Sequence, residues 1–330
     1  MAILPRSGRG RALTAAAAAL ALVGLALWCV RPGGASAPQG RVTLATGVPT
    51  GVYARYGELL KEDLARDLPG VDLRLRRSEG SIDNLRQLAT GRADFTIATA
   101  DAVAAYQARH EPGADRLRAC ARLYDDYMQL VVAKGSAVRS ARDLRGLRVG
   151  VGADGSGVQL ITRRLMEAAG LDFDTDIVPV RVGIDRMPGM LERGELDAFF
   201  WSGGLPTLAV QRLAREYPVR LVQLGDLIPA LHQQGRRTRY YRAAVMPADA
   251  YPRVQDGQAV KTIAVANLLV TTDRVDAALT FGITRTVINS RDAIGHVVHA
   301  AQNVDLRTAV FTDPLPLHTG ARRYYLSVKQ

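Results

Sequence analysis

Three glycine loops contain the residues of this sequence that are best suited to bind an anion. They are Thr46–Gly51, which reads TGVPTG and is followed by Val52-Tyr53, then Gly80-Ser81, and Gly155-Ser156-Gly157. Each loop precedes a segment with helical apolar spacing, and a helix N-terminus exposes unpaired N–H groups and about half a positive charge. Glycine lets a ligand approach that backbone closely. The loops therefore predict a shared anion site, with the alternative that Ser81 and Ser156 only cap their own helices.

The third loop also fits a nucleotide fingerprint. Gly150, Gly152 and Gly155 match G-x-G-x-x-G, and the acid that this motif needs about 20 residues later could be any of Asp172, Asp174 and Asp176. We expect Gly150 and Gly152 to lie in a strand and the helix to begin after Gly155. The N–H groups of Gly155-Ser156-Gly157 then suit a carboxylate better than a pyrophosphate. An NAD(P)-dependent oxidoreductase stays open as an alternative.

Other chemistry has little support in the residues. No G-x-S-x-G nucleophile motif occurs, and Cys120 is the only cysteine beyond the N-terminal segment. Five histidines, none of them near a cysteine, give no metal-ligand pattern. We predict a protein that is not an enzyme and that uses no cofactor and no metal.

Composition excludes nucleic acid as a partner. The 330 residues carry a formal net charge of +11, almost all of it from scattered arginines, and only 6% are aromatic. A nucleic-acid surface would gather these charges into one basic stripe with interleaved aromatic residues. A dispersed basic surface suits small acidic ligands or an anionic membrane face.

The N-terminus predicts export. Arg6, Arg9 and Arg11 precede an apolar run over residues 12–30, and a Pro/Gly/Ala/Ser linker occupies residues 31–40. This order is typical of a signal segment, and the run is also near the length that spans a bilayer. Cleavage after Ala37, lipidation at Cys29 and retention as a membrane anchor all stay open. We favour an extracytoplasmic protein held at the membrane by this segment.

Strands alternate with helices from residue 42, which predicts an α/β fold with a largely parallel sheet. Residues 88–94 and 191–197 both read L-x-x-G-x-x-D before an apolar strand. We expect the glycine of each to take the left-handed position after a helix and the aspartate to cap the next turn. The repeat indicates two similar α/β lobes. Residues 230–242, which are polar and rich in arginine, are expected to form a surface loop.

Five stretches resemble the TAXI family of solute-binding proteins, which serve TRAP-type secondary transporters. They are ATGVPTGVYARYG (45–57), SEGSIDNLRQLATGRADFTIATAD (78–101), DLRGLRVGVGADGSGVQLITRRLMEAAGL (143–171), ELDAFFWSGGLPTLAVQRLA (195–214) and LHTGARRYY (317–325). The resemblance covers about residues 41–330. It implies a two-lobe clamshell of the periplasmic-binding-protein type (type II) that closes on a small ligand in the cleft between the lobes.

The resemblance also implies boundaries and site residues. Lobe 1 would hold residues 41–132 and 263–330, and lobe 2 residues 133–262. The ligand-binding residues of the first lobe would be Thr46, Gly47, Thr50, Gly51, Tyr53, Gly80, Ser81 and Thr99. Those of the second would be Gly155, Ser156, Gly157, Trp201, Gly204 and Pro206. The sequence departs from the family where Thr99 replaces a glutamine and where Trp201 replaces a small apolar residue.

The predicted function is capture of a small anionic organic solute, such as glutamate, glutamine or a related organic acid, for a TRAP-type membrane permease. A ligand-sensing receptor component with the same fold is the first alternative, and the oxidoreductase is the second.

Overall fold

Strands and helices alternate through the chain, as the sequence predicts. The computed structural model describes residues 37–298, 301 and 304–329, so the expectations for the export segment and Cys29 lie outside the described residues. Residues Pro38–Gln330 form one compact unit. In the part of the chain that the structure describes, no helix is both long and apolar enough to cross a bilayer.

The first elements are β1 (Gly40–Ala45), α1 (Val52–Asp67), β2 (Val71–Arg76), α2 (Ser81–Ala89), β3 (Phe95–Thr99), α3 (Ala100–Ala108) and β4 (Leu117–Ala133). They are followed by β5 (Arg148–Gly150), α4 (Gly157–Ala168), β6 (Val178–Val180), α5 (Met187–Glu192), β7 (Ala198–Gly203), α6 (Leu208–Glu216) and β8 (Val219–Val222). The remaining elements are α7 (Ile228–Gln233), β9 (Tyr241–Met246), α8 (Pro252–Gln255), β10 (Val260–Thr272), α9 (Ala277–Asn289), α10 (Arg291–Val297), α11 (Leu306–Ala309) and α12 (Thr319–Ser327).

The ten strands form one mixed sheet in the order β2-β1-β3-β10-β4-β7-β5-β6, with β8 on β4 and β9 on β10. We call β2-β1-β3 the first sheet half and β7-β5-β6 the second. Pairing is parallel inside each half and antiparallel wherever β4 or β10 takes part. The expectation of a largely parallel sheet is thus right for the halves and wrong for the centre.

The central strands β4 and β10 lie between the two sheet halves and contribute to the core of each. With 17 residues, β4 reaches about 55 Å at about 3.3 Å per residue. Its Tyr124 packs into the apolar core of the first sheet half, and its Met128 packs into a core of the second. In β10, Leu269 packs into the core of the first sheet half and Val265 into that of the second. The predicted residue boundaries of the lobes stay a prediction.

Both copies of the repeated signature end a helix as expected. Gly91 follows α2 with φ +71°, and Gly194 follows α5 with φ +70°. These left-handed conformations suit glycine because a Cβ would approach the next carbonyl oxygen. The sequence therefore encodes the end of each helix locally.

The aspartates of the signature do not cap their own turn, which corrects the prediction. Asp94 accepts the N–H of Thr43 on β1, and Asp197 accepts the N–H of Arg148 on β5, both at 2.8 Å. Each carboxylate thus ties the start of its own strand to the neighbouring parallel strand.

One predicted element differs from the structure. Residues 230–242 include the end of α7, the 3₁₀ turn Arg236–Thr238 and the start of β9 instead of a loop. The buried Tyr241 anchors this region by donating its hydroxyl to Asp101 at 2.8 Å. Further along the chain, α9 begins at Ala277, because the Asp276 side chain caps it by accepting the N–H groups of Ala278 and Leu279.

Candidate functional site

Three helices point their N-termini at one cavity. Gly51 precedes α1, Gly80 precedes α2, and Ser156 precedes α4, and all three residues line the same cavity. The first two come from the first sheet half and the third from the second. Gly80 has φ +124°, a conformation that favours glycine and that turns the chain into α2. Unpaired N–H groups and helix dipoles therefore act together on this space.

A directional chain of hydrogen bonds forms the wall on the first sheet half. Thr99 N–H donates to Ser81 Oγ at 3.2 Å, and Ser81 lies 3.1 Å from the Tyr53 hydroxyl. Tyr53 donates its own proton to Asn267 Oδ1, and Asn267 Nδ2 donates to Asp126 Oδ1 at 2.7 Å. Since Tyr53 has one proton, the Ser81 hydroxyl must donate to Tyr53. The chain therefore runs from Thr99 to the Asp126 carboxylate.

Asp126 is the end of that chain and faces the cavity. Its side chain is 3% exposed, and its second oxygen, Oδ2, has no hydrogen-bond partner among the described residues. Burial raises the pKa of this carboxyl to about 7, against the lowering effect of the bond from Asn267, and Asp101 adds to the rise. A carboxylate in this position favours a ligand that brings a positive charge.

The antiparallel pairing of β4 with β10 places Asp126 and Asn267 side by side. The register between these strands shifts between Ala266 and Leu268, so Asn267 sits at a bulge. Bulges redirect side chains and are frequent beside functional sites. Here the bulge accompanies the approach of the Asn267 amide to both Tyr53 and Asp126.

The opposite wall begins with the N-cap of α4. Ser156 Oγ accepts the N–H of Gln159 at 3.1 Å, while the Gln159 amide donates to Asp154 at 2.7 Å instead of reaching back to Ser156. Ser156 is therefore both a helix cap and a lining residue of the cavity. Ser81 caps nothing, because it is the first residue of α2 and its hydroxyl belongs to the chain described above.

Trp201 extends this wall and also packs on the core. Its indole N–H donates to Thr207 Oγ1 at 3.1 Å, and the ring contacts two apolar clusters of the second sheet half while it lines the cavity. Trp201 is therefore both a packing residue of the second sheet half and a wall of the cavity.

The two walls touch each other. Asp83 N–H donates to the carbonyl of Gly155 at 3.1 Å, which links the start of α2 to the third glycine loop. A Cβ at Gly157 would lie 3.1 Å from Ser81 Oγ and 3.5 Å from Thr99 Oγ1. A side chain at Gly157 would therefore crowd Ser81, which would have to shift by a few tenths of an ångström, and the two loops are in contact beside the cavity.

The cavity is small and contains no basic side chain among the described residues. The volume open to the centres of water molecules is about 60 Å³, which holds about five waters at roughly 10–15 Å³ each. In the described part of the chain, the charged side chains that line it are those of Glu79 and Asp126, both acidic. This space suits a molecule with the bulk of an amino acid and is too small for a dinucleotide.

Nine of the fourteen predicted site residues line this cavity, namely Gly47, Gly51, Tyr53, Gly80, Ser81, Thr99, Ser156, Gly157 and Trp201. The other five, Thr46, Thr50, Gly155, Gly204 and Pro206, lie behind or beside it. Thr46 Oγ1 donates to the Arg76 carbonyl at 3.2 Å, and the Gly204 carbonyl accepts from Thr207 at 3.0 Å. Their role as ligand contacts stays a prediction.

Sequence reasoning missed Asp126, Asn267 and Glu79. A signal for Asp126 was present, since Asp125-Asp126 places two adjacent acids in a mostly apolar strand, and a charge in a buried strand needs a reason. Asn267 had a weaker signal as the one amide in the run TIAVANLLVT. Nothing local pairs these two residues, which lie 141 positions apart.

The geometry does not support the dinucleotide alternative. Gly150 ends β5, but Gly152 lies beyond the strand with φ +87°, which corrects its predicted place. A Cβ at Gly152 would meet Val158 at 2.8 Å, so this glycine serves packing against α4. Of the candidate acids, Asp172 accepts from Asp174 N–H and Thr175 N–H in its own turn.

No group of three or more His, Cys, Asp or Glu side chains comes together as metal ligands in residues 37–298, 301 and 304–329.

Comparison with known proteins gives one family match and several fold matches. The model of the NMT1-like family matches residues 44–326. A protein from Bordetella bronchiseptica RB50 is 19% identical with a TM-score of 0.52, and the match covers 85% of this chain and 84% of that one. A putative L-cystine ABC transporter from Listeria monocytogenes is 14% identical with a TM-score of 0.50, covering 81% and 99%. The predicted α/β fold of the two-lobe type II periplasmic-binding-protein class is confirmed.

Proposed function

The chain belongs to the NMT1-like family, and from that premise we propose that it is an extracytoplasmic solute-binding protein, not an enzyme. One observation carries the proposal. Helix N-termini from both sheet halves converge on one cavity, beside which their glycine loops touch. Such an arrangement binds a small ligand by closing around it.

The cavity supports a ligand with two charges of opposite sign. The N–H groups at the starts of α1, α2 and α4 can hold a carboxylate without any arginine or lysine. The unpartnered Oδ2 of Asp126 can accept an ammonium group. The Ser202 hydroxyl, buried in the same wall without a partner among the described residues, offers one more hydrogen bond.

An amino acid such as glutamate or glutamine fits this polarity better than a dicarboxylate without an amino group. A dicarboxylate would bring two negative charges to a cavity whose charged side chains, Glu79 and Asp126, are acidic. The description of the Listeria protein as a putative L-cystine transporter also supports an amino acid. We therefore narrow the predicted class of small anionic organic solutes to amino acids.

A thermal-shift screen tests the proposal, with glutamate, glutamine, cystine and other amino acids beside glutarate and succinate. A ligand at about 100 times its Kd stabilises the folded protein by about 2.7 kcal/mol, which raises the Tm by several degrees. Glutarate, which is glutamate without its amino group, is the matched control and is expected to give no shift. If no amino acid and no carboxylate raises the Tm, the proposed function is wrong.

A TRAP-type membrane permease of the TAXI kind is the proposed partner, on the resemblance in the five stretches quoted above. The N-terminal segment would hold the protein at the outer face of the membrane. A TRAP permease gene beside this one would support transport. A histidine kinase gene in that place would favour the sensing alternative.

A further inference from the structure

A second and larger cavity shares no lining residue with the first. Its volume open to the centres of water molecules is about 500 Å³. It lies between α3, α4 and residues 236–241, so segments from before and after β4 line it together. Leu160 and the ring of Tyr240 give it an apolar part.

Five arginines surround this cavity, which are Arg109, Arg164, Arg236, Arg237 and Arg239. Arg239 pairs with Asp313 at 2.9 Å, and Arg164 pairs with Glu167 at 3.3 Å. The other three form no ion pair with any of the described residues. The acid in the wall, Asp101, is 3% exposed and accepts the Tyr241 hydroxyl at 2.8 Å. The lining therefore carries a clear excess of positive charge.

This excess of positive charge suits an anion that carries more than one negative charge. Arg109, Arg236 and Arg237 are exposed at this cavity, so their positive charges can attract an anion from solution. Their planar N–H pairs match the oxygens of a phosphate, and each can form two parallel hydrogen bonds to it. A carboxylate would neutralise only one of the three unpaired arginines, whereas a phosphate or diphosphate neutralises two or more.

We propose that this cavity is a second ligand site that binds a phosphate-bearing small molecule. The phosphate contacts Arg236 and Arg237 from one side and Arg109 from the other, with Tyr240 and Leu160 beside the remainder of the ligand. Because Arg109 lies after α3 and the other two follow α7, the bound anion links the two segments that β4 separates in sequence. The site does not depend on the identity of the solute in the first cavity.

Inorganic pyrophosphate is the probe, measured by titration calorimetry on the protein at low ionic strength. Wild type is expected to bind it at one site. The double variant Arg236→Ala/Arg237→Ala is expected to lose at least about tenfold in affinity, which corresponds to one lost charge-assisted contact. The matched control is Arg322→Ala/Arg323→Ala, an adjacent exposed pair on α12 with the same change in net charge. This control is expected to bind as wild type does.

Further measurements test the contact from Arg109, the effect of overall charge and the alternative of a membrane surface. Arg109→Ala is also expected to weaken pyrophosphate binding, and unchanged affinity would overturn the contact from that side. Equal losses in both double variants would mean that only the overall charge attracts the anion, which overturns the site. Binding to phosphatidylglycerol vesicles without any binding of pyrophosphate would assign the arginines to a membrane surface and overturn it as well. Unchanged Tm values in all variants verify that they fold.

Discussion

The substitution Asp126→Asn separates the two roles that the structure gives to this carboxyl. It keeps an oxygen that can accept the hydrogen bond from Asn267, which is 2.7 Å long in the native protein. It removes the negative charge that we propose for the ammonium group of the ligand. A hydrogen bond to a charged group contributes about 1.5–3 kcal/mol, so affinity for the amino acid is expected to fall about 10- to 150-fold.

The same substitution is expected to stabilise the unliganded protein at alkaline pH. Burial raises the pKa of Asp126 from its ordinary 3.8 to about 7, so the folded protein binds this proton more tightly than the unfolded chain does. The free energy of unfolding therefore falls as the pH rises from about 4 to about 7. The fall is at most about 4 kcal/mol, at about 1.4 kcal/mol for each tenfold change in proton affinity. An amide in place of the carboxyl has no proton to lose and lacks this penalty.

Binding of the ligand should depend on pH for the same reason. An ammonium group pairs with the ionised carboxylate, so affinity in the wild type is expected to fall up to about tenfold for each pH unit below 7. In Asp126→Asn this dependence is absent. Calorimetry at pH 6 and pH 8 measures the affinities, and urea unfolding at pH 5.5 and pH 8 measures the stabilities.

The matched control is Asp125→Asn. Asp125 is the neighbouring residue on β4, pairs with Arg122 at 2.9 Å and does not line the cavity. Its substitution is expected to leave the affinity and its pH dependence unchanged. Wild-type affinity in Asp126→Asn at pH 8, or equal binding of glutamate and glutarate by the native protein, would refute the pairing of Asp126 with an ammonium group.

The remaining predictions concern the glycine loops and helix ends. Gly157→Val is expected to abolish ligand binding and to leave the Tm near the wild-type value, because the valine side chain would meet Ser81 where the two glycine loops touch. Small-angle scattering of this variant should then show no compaction when ligand is added. Ser156→Ala should lower the unfolding free energy by about 1 kcal/mol through the lost helix cap and should weaken ligand affinity as well, so unchanged affinity would make this serine purely structural. Gly91→Ala and Gly194→Ala should each cost about 1 kcal/mol in urea unfolding, since both have positive φ and open space around them, and a clear cost in only one would contradict their equivalence.

The ends of the helices and the positions of the glycine loops could be predicted from local sequence. Gly91 and Gly194 show why, because a left-handed residue after a helix is a property of a few consecutive positions. The same holds for Ser156, whose cap on α4 needs only the N–H three residues later. The order of strands and helices, and with it the α/β class, rests on such local patterns.

Contacts across the sheet could not be derived in this way. Residues 230–242 were expected to form a surface loop, yet they lead into β9, where Tyr241 donates its hydroxyl to Asp101, which lies 140 positions earlier. Likewise, the antiparallel centre of the sheet depends on β4 and β10 lying side by side, which the apolar pattern of either strand alone does not reveal.

The sequence by itself therefore determined which loops present helix N-termini, since spacing and residue type act within a few positions. Only the tertiary structure decided the polarity of the cavity. Asp126 and Asn267 meet because two long strands pair in one register with a bulge at Asn267. That register results from packing over the whole sheet, and it turned a site predicted for an anion into one that also has a place for a positive charge.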